Sequence, residues 1–358
     1  MNLFEQFQLK NIQLANRIVM APMTRSRATN QNSLANDIMA TYYEQRATAG
    51  LIITEGVFIN DDAAGYINVP KIQTEEQTES WKKITEKVHA AGGKIFMQIW
   101  HVGASSHPEI LNGKLPLSPS GVNPNIKVFT SKGFEDTVDP KPMNLEEIKE
   151  TIQDFGIAAK NAISSGMDGI EIHAANGYLI NQFFQKGTNT RTDEYGGSIE
   201  NRTKFLFDVL DEIKLHIPIE KVGIRFSPRI DDLGVQYDDE TDELYKYILQ
   251  RIEKEYSIAY IHFNGIISTK VKTKPEEVID IARCMRNDYS GTIIINTGLT
   301  KETANEILEN GDADLFAFGV PFIANPTFVD KLKNDIPLSD PNPDYFYTGD
   351  EKGYIDYP

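Results

Sequence analysis

The sequence predicts an α/β fold, a closed (β/α)8 TIM barrel, and three observations carry that expectation. Eight short β-rich runs recur along the 358 residues, and eight amphipathic helical stretches alternate with them. Such strict alternation argues a parallel sheet with helices packed outside it. Eight repeats of the unit argue that the sheet closes on itself. No composition break or Pro/Ser-rich linker divides the chain, so residues 1–358 are expected to form one domain, although length alone allows two ordinary ones.

Residues 1–15 carry the alternation FEQFQLKNIQL and are expected to form a hairpin over the barrel floor. The strand candidates then follow as NRIVMAPM, GLIITEG, KIFMQIW, GIEIHA, VGIRFSP, IAYIHFNG, TIIINTG and DLFAFGV. Each is a short apolar run bounded by turn residues, the pattern of a strand buried on both faces. Between them lie helix candidates at 34–48, 75–91, 145–165, 199–216, 241–256, 275–288, 300–309 and 326–334. Gly50, Gly92, Gly166 and Gly311 follow helical patterns and are read as left-handed C-caps. Asn144 with Glu147 reads as a capping box opening the third helix. A plain barrel needs about 250 residues, which leaves roughly 100 for extensions. The hairpin, residues 102–143 and an aromatic tail at 335–358 take these up. The middle stretch is rich in Pro, Ser, Gly and Asn, interrupts the third unit after its strand, and is expected to be a lid.

Composition excludes several classes. A formal charge of -16 disfavours nucleic acid and anionic membrane surfaces as partners. Cys284 is the one cysteine, which leaves no disulfide framework and no thiolate-ligated zinc or iron–sulfur site. The N-terminal residues lack the pattern of a secretory signal, and no run approaches the roughly 20 apolar residues of a membrane span. The expectation is a cytoplasmic protein, monomer or homodimer, whose partner is a small molecule.

In a TIM barrel the chemistry sits at the C-terminal ends of the strands. Those ends supply Thr24 and Arg25, Glu55, Gln98 and Trp100, His173 and Asn176, Arg225, Asn264, Asn296 and Gly298, then Gly319. The opposite ends carry mostly glycine and apolar residues. Strand parity puts Gln98 with Trp100 and Glu171 with His173, so Glu171 lies one layer below His173. A buried carboxylate needs a partner, and Arg225 on the neighbouring strand is the candidate. His101 and His107 lie near the mouth without a converging third ligand, so no metal site is expected. The RTDEYGGS turn reads as structural.

The segment HAANGYLINQFF, 173–184, followed by NTRTDEYGGSIENR, 189–202, resembles the Old Yellow Enzyme family. NIQLANRIVMAPMTR, MQIWHVG, GIRFSP, FGVPFIANP and the ending GYIDYP extend the resemblance, in order, over essentially the whole chain. The resemblance implies a tightly bound, non-covalent FMN and NADPH or NADH as reductant. The implied reaction reduces the activated C=C bond of enones, nitroalkenes, maleimides or quinones by hydride transfer from flavin N5. His173 and Asn176 would hold the substrate's carbonyl or nitro oxygen, and Tyr178 would protonate the α-carbon. Arg225 would sit beside flavin N1 and O2, Thr24 would donate to O4, and Gln98 would read the pyrimidine edge. Asn296, Gly298, Gly319 and Val320 would surround the phosphate, while Tyr66, Trp100 and Tyr347 would wall the substrate pocket.

Two positions depart from the family pattern. Val320 and Ala104 stand where many relatives carry arginine, so backbone amides, helped by Lys301, are expected to hold the phosphate. The thermophilic-like branch would place a cysteine at position 24, and the dienoyl reductases need a cysteine cluster; neither pattern is present. A rival from another class is a cofactor-free barrel lyase or isomerase using His173 and Glu171 as acid and base.

Overall fold

The computed structural model describes residues 2–265 and 274–358. Eight parallel strands close into a barrel: Ile18–Met20, Leu51–Phe58, Ile95–Trp100, Gly169–His173, Val222–Phe226, Tyr260–Asn264, Ile293–Asn296 and Leu315–Phe318. The eighth strand pairs with the first, Phe318 opposite Met20, so the barrel has no open edge. Each expected run supplies one strand. The expected helices form at Asp37–Glu44, Glu75–Ala90, Leu145–Ser164, Ile199–Lys214, Thr241–Glu255, Pro275–Arg286, Lys301–Asn310 and Phe328–Lys333. Two more, Leu179–Phe184 and Val320–Ala324, have six and five residues, too few for a helical period to register in sequence.

Alternation along the strands separates two cores. One set of side chains, including Val19, Leu51, Phe96, Tyr260, Ile294 and Leu315, fills the barrel axis; the other packs outward on the helices. The hairpin of Phe7–Leu9 and Ile12–Leu14 adds Leu9 and Leu14 to the axial cluster, so it plugs the floor as expected.

The helix signals hold with one correction. Asn144 and Glu147 form a reciprocal capping box, and Gly92, Gly166 and Gly311 have φ of +82°, +93° and +76°. Gly50 does not adopt the left-handed conformation. A Cβ there would lie 2.0 Å from the Asn16 carbonyl oxygen, and the Gly50 N–H donates to the Ile18 carbonyl. Glycine at position 50 therefore serves close approach of the first two strands, not a cap. In the second strand the pairing steps from Ile53–Phe96 to Gly56–Gln98, a bulge. A Cβ at Gly56 would lie 2.2 Å from the Trp100 ring, so this glycine makes room for the indole at the mouth.

The insertion after the third strand holds a parallel pair, Leu117–Ser118 with Lys141–Pro142, and a hairpin, Lys127–Thr130 with Gly133–Asp136. Arg191 of the RTDEYGGS turn donates to the carbonyls of Pro119 and Met143, tying the insertion to the loop after the fourth strand. That turn is internally bonded as well, since Arg191 also pairs with Asp193 and the Tyr195 N–H donates to the Asp193 carboxylate, while the Tyr195 hydroxyl ties the turn to Asp208 of the following helix. No helix among the described residues is long and apolar enough to cross a membrane.

Candidate active site

The site rises in two polar tiers above the apolar floor. In the lower tier Glu171 is fully buried; it accepts from Gln98 Nε2 at 2.7 Å and faces His262 Nδ1 at 2.8 Å. Burial pushes the Glu171 carboxyl up, and His262, Arg225 and Gln98 outweigh it, so its pKa falls below the usual carboxylate value. Burial holds His262 below its usual pKa against the pull of Glu171. One expectation is corrected here: Glu171 hydrogen-bonds Gln98 and His262, while Arg225 acts on it through its charge and not through a hydrogen bond.

In the upper tier Arg225, next to His173 in register, donates through Nε and Nη2 to Asn264 Oδ1 at 3.1 and 2.5 Å. Its Nη2 also donates to Asn296 Oδ1 at 3.0 Å, and Asn296 Nδ2 donates to the Ala317 carbonyl. Burial lowers the Arg225 pKa, but a guanidinium starts so high that it stays a cation. Asn264 Nδ2 continues the chain to Asn176 Oδ1 at 2.9 Å. Asn176 has φ +60°, a conformation asparagine tolerates, and its backbone N–H donates to the Ser227 hydroxyl.

Above these lies an aromatic wall. The Trp100 ring stacks on His173 at 5.6 Å and meets Tyr178 edge-on at 4.7 Å; His173 and Tyr178 are edge-to-face at 4.9 Å. Tyr66 and Tyr178 share a hydrogen bond of 3.1 Å between their hydroxyls. Burial, with Tyr66 beside it, raises the Tyr178 pKa well above the phenol value. Burial, reinforced by the Arg225 charge, drops His173 well below the usual imidazole value, so the ring is neutral. Its Nδ1 is buried without a partner among the described residues. Tyr347 is half-exposed on the tail, near enough to Tyr66 and Tyr178 to raise both phenol pKa values. Thr24 lies half-buried just past the first strand.

At the tips of the seventh and eighth strands, Asn296, Thr297, Gly298, Gly319 and Val320 line a cavity of about 260 Å³. Thr297 and Gly298 have φ of +79° and +70°, a turn that bares backbone N–H groups. The Lys301 ammonium is bound to Asp335 at 2.6 Å, which corrects its expected role toward a phosphate. Val320 is exposed, while Ala104 is buried with its N–H on Gln182.

Arg25 and Glu55, read from sequence as mouth residues, belong elsewhere. Arg25 donates to the carbonyls of Phe346, Tyr345 and Gly353, and Glu55 is buried against Tyr43. Conversely, His262 and Ser227 escaped the sequence reading. The parity of Tyr260, His262 and Asn264 on one strand face was the signal for the former; nothing local marks Ser227.

These groups fit a flat ring with a polar edge and an anionic tail. A buried cation, an orphaned imidazole nitrogen and a wall of aromatic faces stand at the mouth, with a small-residue cavity beside them. The NADH:flavin oxidoreductase / NADH oxidase family model matches residues 2–339. The chain is 38% identical over 374 residues to 12-oxophytodienoate reductase 7 of Oryza sativa subsp. japonica, covering 99% of this chain and 94% of that one. Morphinone reductase in complex with tetrahydroNAD superposes with a TM-score of 0.92 at 37% identity, over 100% of this chain and 97% of that chain. The old yellow enzyme homologue from Zymomonas mobilis gives 0.94 at 34% identity, over 100% and 99%. The chain therefore belongs to the NADH:flavin oxidoreductase / NADH oxidase family, that of Old Yellow Enzyme, and is an FMN-dependent oxidoreductase.

Proposed function

We propose that this protein uses NADPH or NADH to reduce the activated C=C bond of enones, nitroalkenes, maleimides or quinones. The observation that carries the reading is the convergence of Tyr178, His173 and Asn176 around one mouth, above a fixed Arg225 cation. Arg225, Thr24 and Gln98 would hold the ring of FMN, and Asn296, Gly298, Gly319 and Val320 its phosphate. FMN, when bound there and reduced, would supply the hydride. A cation in the position of Arg225 favours negative charge at the edge it faces.

His173, neutral, offers an N–H to the substrate oxygen, and Asn176 adds its amide hydrogens; together they draw electron density from the alkene. Tyr178 keeps its proton at neutral pH because its buried phenol resists ionisation, so the proton is available for the α-carbon. Tyr66 holds the Tyr178 hydroxyl in place and accepts or donates across the same bond. Trp100 and Tyr347 confine the substrate and thin the water around it. Glu171 is sealed by Gln98 and His262, which leaves it no path to a substrate and counts against a lyase or isomerase using it as base.

Tyr178→Phe tests the assignment. Oxidation of NADPH by the holoenzyme stays near the wild-type rate, while anaerobic turnover of 2-cyclohexenone falls about 10²-fold or more. Equal loss in both half-reactions would remove Tyr178 as the proton donor. Parallel measurements with NADPH and NADH rank the two reductants.

A further inference from the structure

As an oxygen anchor, Asn176 must turn one particular end of its amide toward the substrate. A carboxamide has a donating and an accepting end, and only the NH2 end can hold a carbonyl oxygen. Nothing in Asn176 itself makes that choice. The neighbours do.

Arg225 has only donors, so the atom it meets on Asn264 must be the oxygen. Both Nε and Nη2 converge on that oxygen, which fixes the Asn264 amide and aims its Nδ2 hydrogens away from the guanidinium. The group they meet must accept, and it is Asn176 Oδ1 at 2.9 Å. With its oxygen held there, Asn176 can present only its NH2 to the mouth, and no described residue takes those hydrogens. Asn264 is buried at 1% exposure, so water does not compete for its hydrogens and a reversed amide would leave buried groups unpaired. Asn296 is set by the same cation, since its oxygen accepts from Arg225 and its amide hydrogens go to the Ala317 carbonyl. That second anchor keeps the guanidinium from turning.

We propose that Asn264 is a positioning residue that orients the Asn176 amide, so that the Arg225 cation sets the polarity of the substrate-oxygen anchor. The proposal rests on the anchor role of Asn176 given above. It makes position 264 a determinant of affinity for carbonyl compounds through Asn176.

Two substitutions separate polarity from packing. Asn264→Asp still accepts from Arg225 but offers Asn176 no hydrogen. Asn176 then turns its NH2 inward and presents its oxygen to the substrate oxygen. Asn264→Leu removes both contacts and leaves Asn176 free to turn. The probe is cyclohexanone, a neutral ketone with no C=C bond to reduce, titrated calorimetrically into the holoenzyme. Each variant is made in the native chain and in an Asn176→Ala background. Retained yellow colour and an unshifted melting temperature identify the folded variants, and the leucine variant carries the test if the aspartate variant does not fold.

Asn176→Ala is expected to weaken cyclohexanone about 3- to 10-fold, the worth of one neutral hydrogen bond. Asn264→Leu weakens it by less, and Asn264→Asp by about tenfold or more. In the Asn176→Ala background neither Asn264 substitution weakens binding measurably further, because the coupling has been removed. Equal losses in both backgrounds would overturn the proposal, since Asn264 would then act without Asn176. Unchanged affinity in Asn176→Ala itself would instead overturn the anchor role, a different and recognisable result.

Discussion

At the scale of single residues, burial decides the charge state of the groups that matter. His173 and Tyr178 are both neutral at pH 7 for the same reason: ionising either would place a charge among Trp100, Tyr66 and one another. Glu55 shows the same effect away from the mouth. Burial raises its pKa from 4.5 to about 7, against the opposing pull of Arg25 and Tyr43. The folded state thus binds this proton more tightly than the unfolded chain does. Glu55 therefore contributes stability that is full below the unfolded pKa and is lost as pH rises toward the folded value. Replacing it with a neutral isostere should flatten that slope. The stability difference between wild type and Glu55→Gln, measured by urea unfolding, is expected to move against wild type from about pH 5 to about pH 8. A pH-independent difference would mean that Glu55 does not titrate there.

At the scale of elements, the caps set where helices begin and hence where the loops of the mouth are strung. The Leu145–Ser164 helix follows the insertion directly, and its first turn is closed by Asn144 and Glu147. Asn144→Ala removes an N-cap that holds a backbone N–H and should cost about 1 kcal/mol. It should also quicken proteolysis within 102–143, because the last strand of the insertion ends at Pro142. A stability loss without faster cleavage would separate the helix from the insertion. The short Leu179–Phe184 helix shows the reverse dependence. Its N-cap residue is Tyr178, which makes no side-chain cap bond, and the first helical N–H, that of Leu179, instead donates to the His101 carbonyl. The phenol is left free for the mouth because a neighbour satisfies the backbone.

At the scale of the whole molecule, the tail is joined to the first barrel loop by buried arginines. Arg25 donates to three tail carbonyls, Arg27 reaches Tyr345 and Asp350, and both lie over the Tyr354 ring. Each buried carbonyl left unpaired costs about 1–3 kcal/mol. Arg25→Gln should lower the melting temperature and speed cleavage of the tail, and by loosening Tyr347 it should weaken binding of bulky enones more than of small ones. Tail cleavage at the wild-type rate would show that Arg25 is not the tether.

The sequence by itself determined the barrel, its eight strands, the floor hairpin and the cluster of polar residues at the strand ends. Those features are local: a period of two or of 3.6, a glycine after a helix, an asparagine three residues before a glutamate. Only the tertiary structure decided the pairings. Parity put Glu171 beneath His173 but could not say that Gln98, from the strand on one side, and His262, from two strands away on the other, would hydrogen-bond it while Arg225, between them, did not. Nor could a strand-end position distinguish Arg25, turned toward the tail, from Arg225, turned toward the axis. A hydrogen bond is fixed by distance and direction between residues far apart in the chain, and those are settled only when the barrel closes.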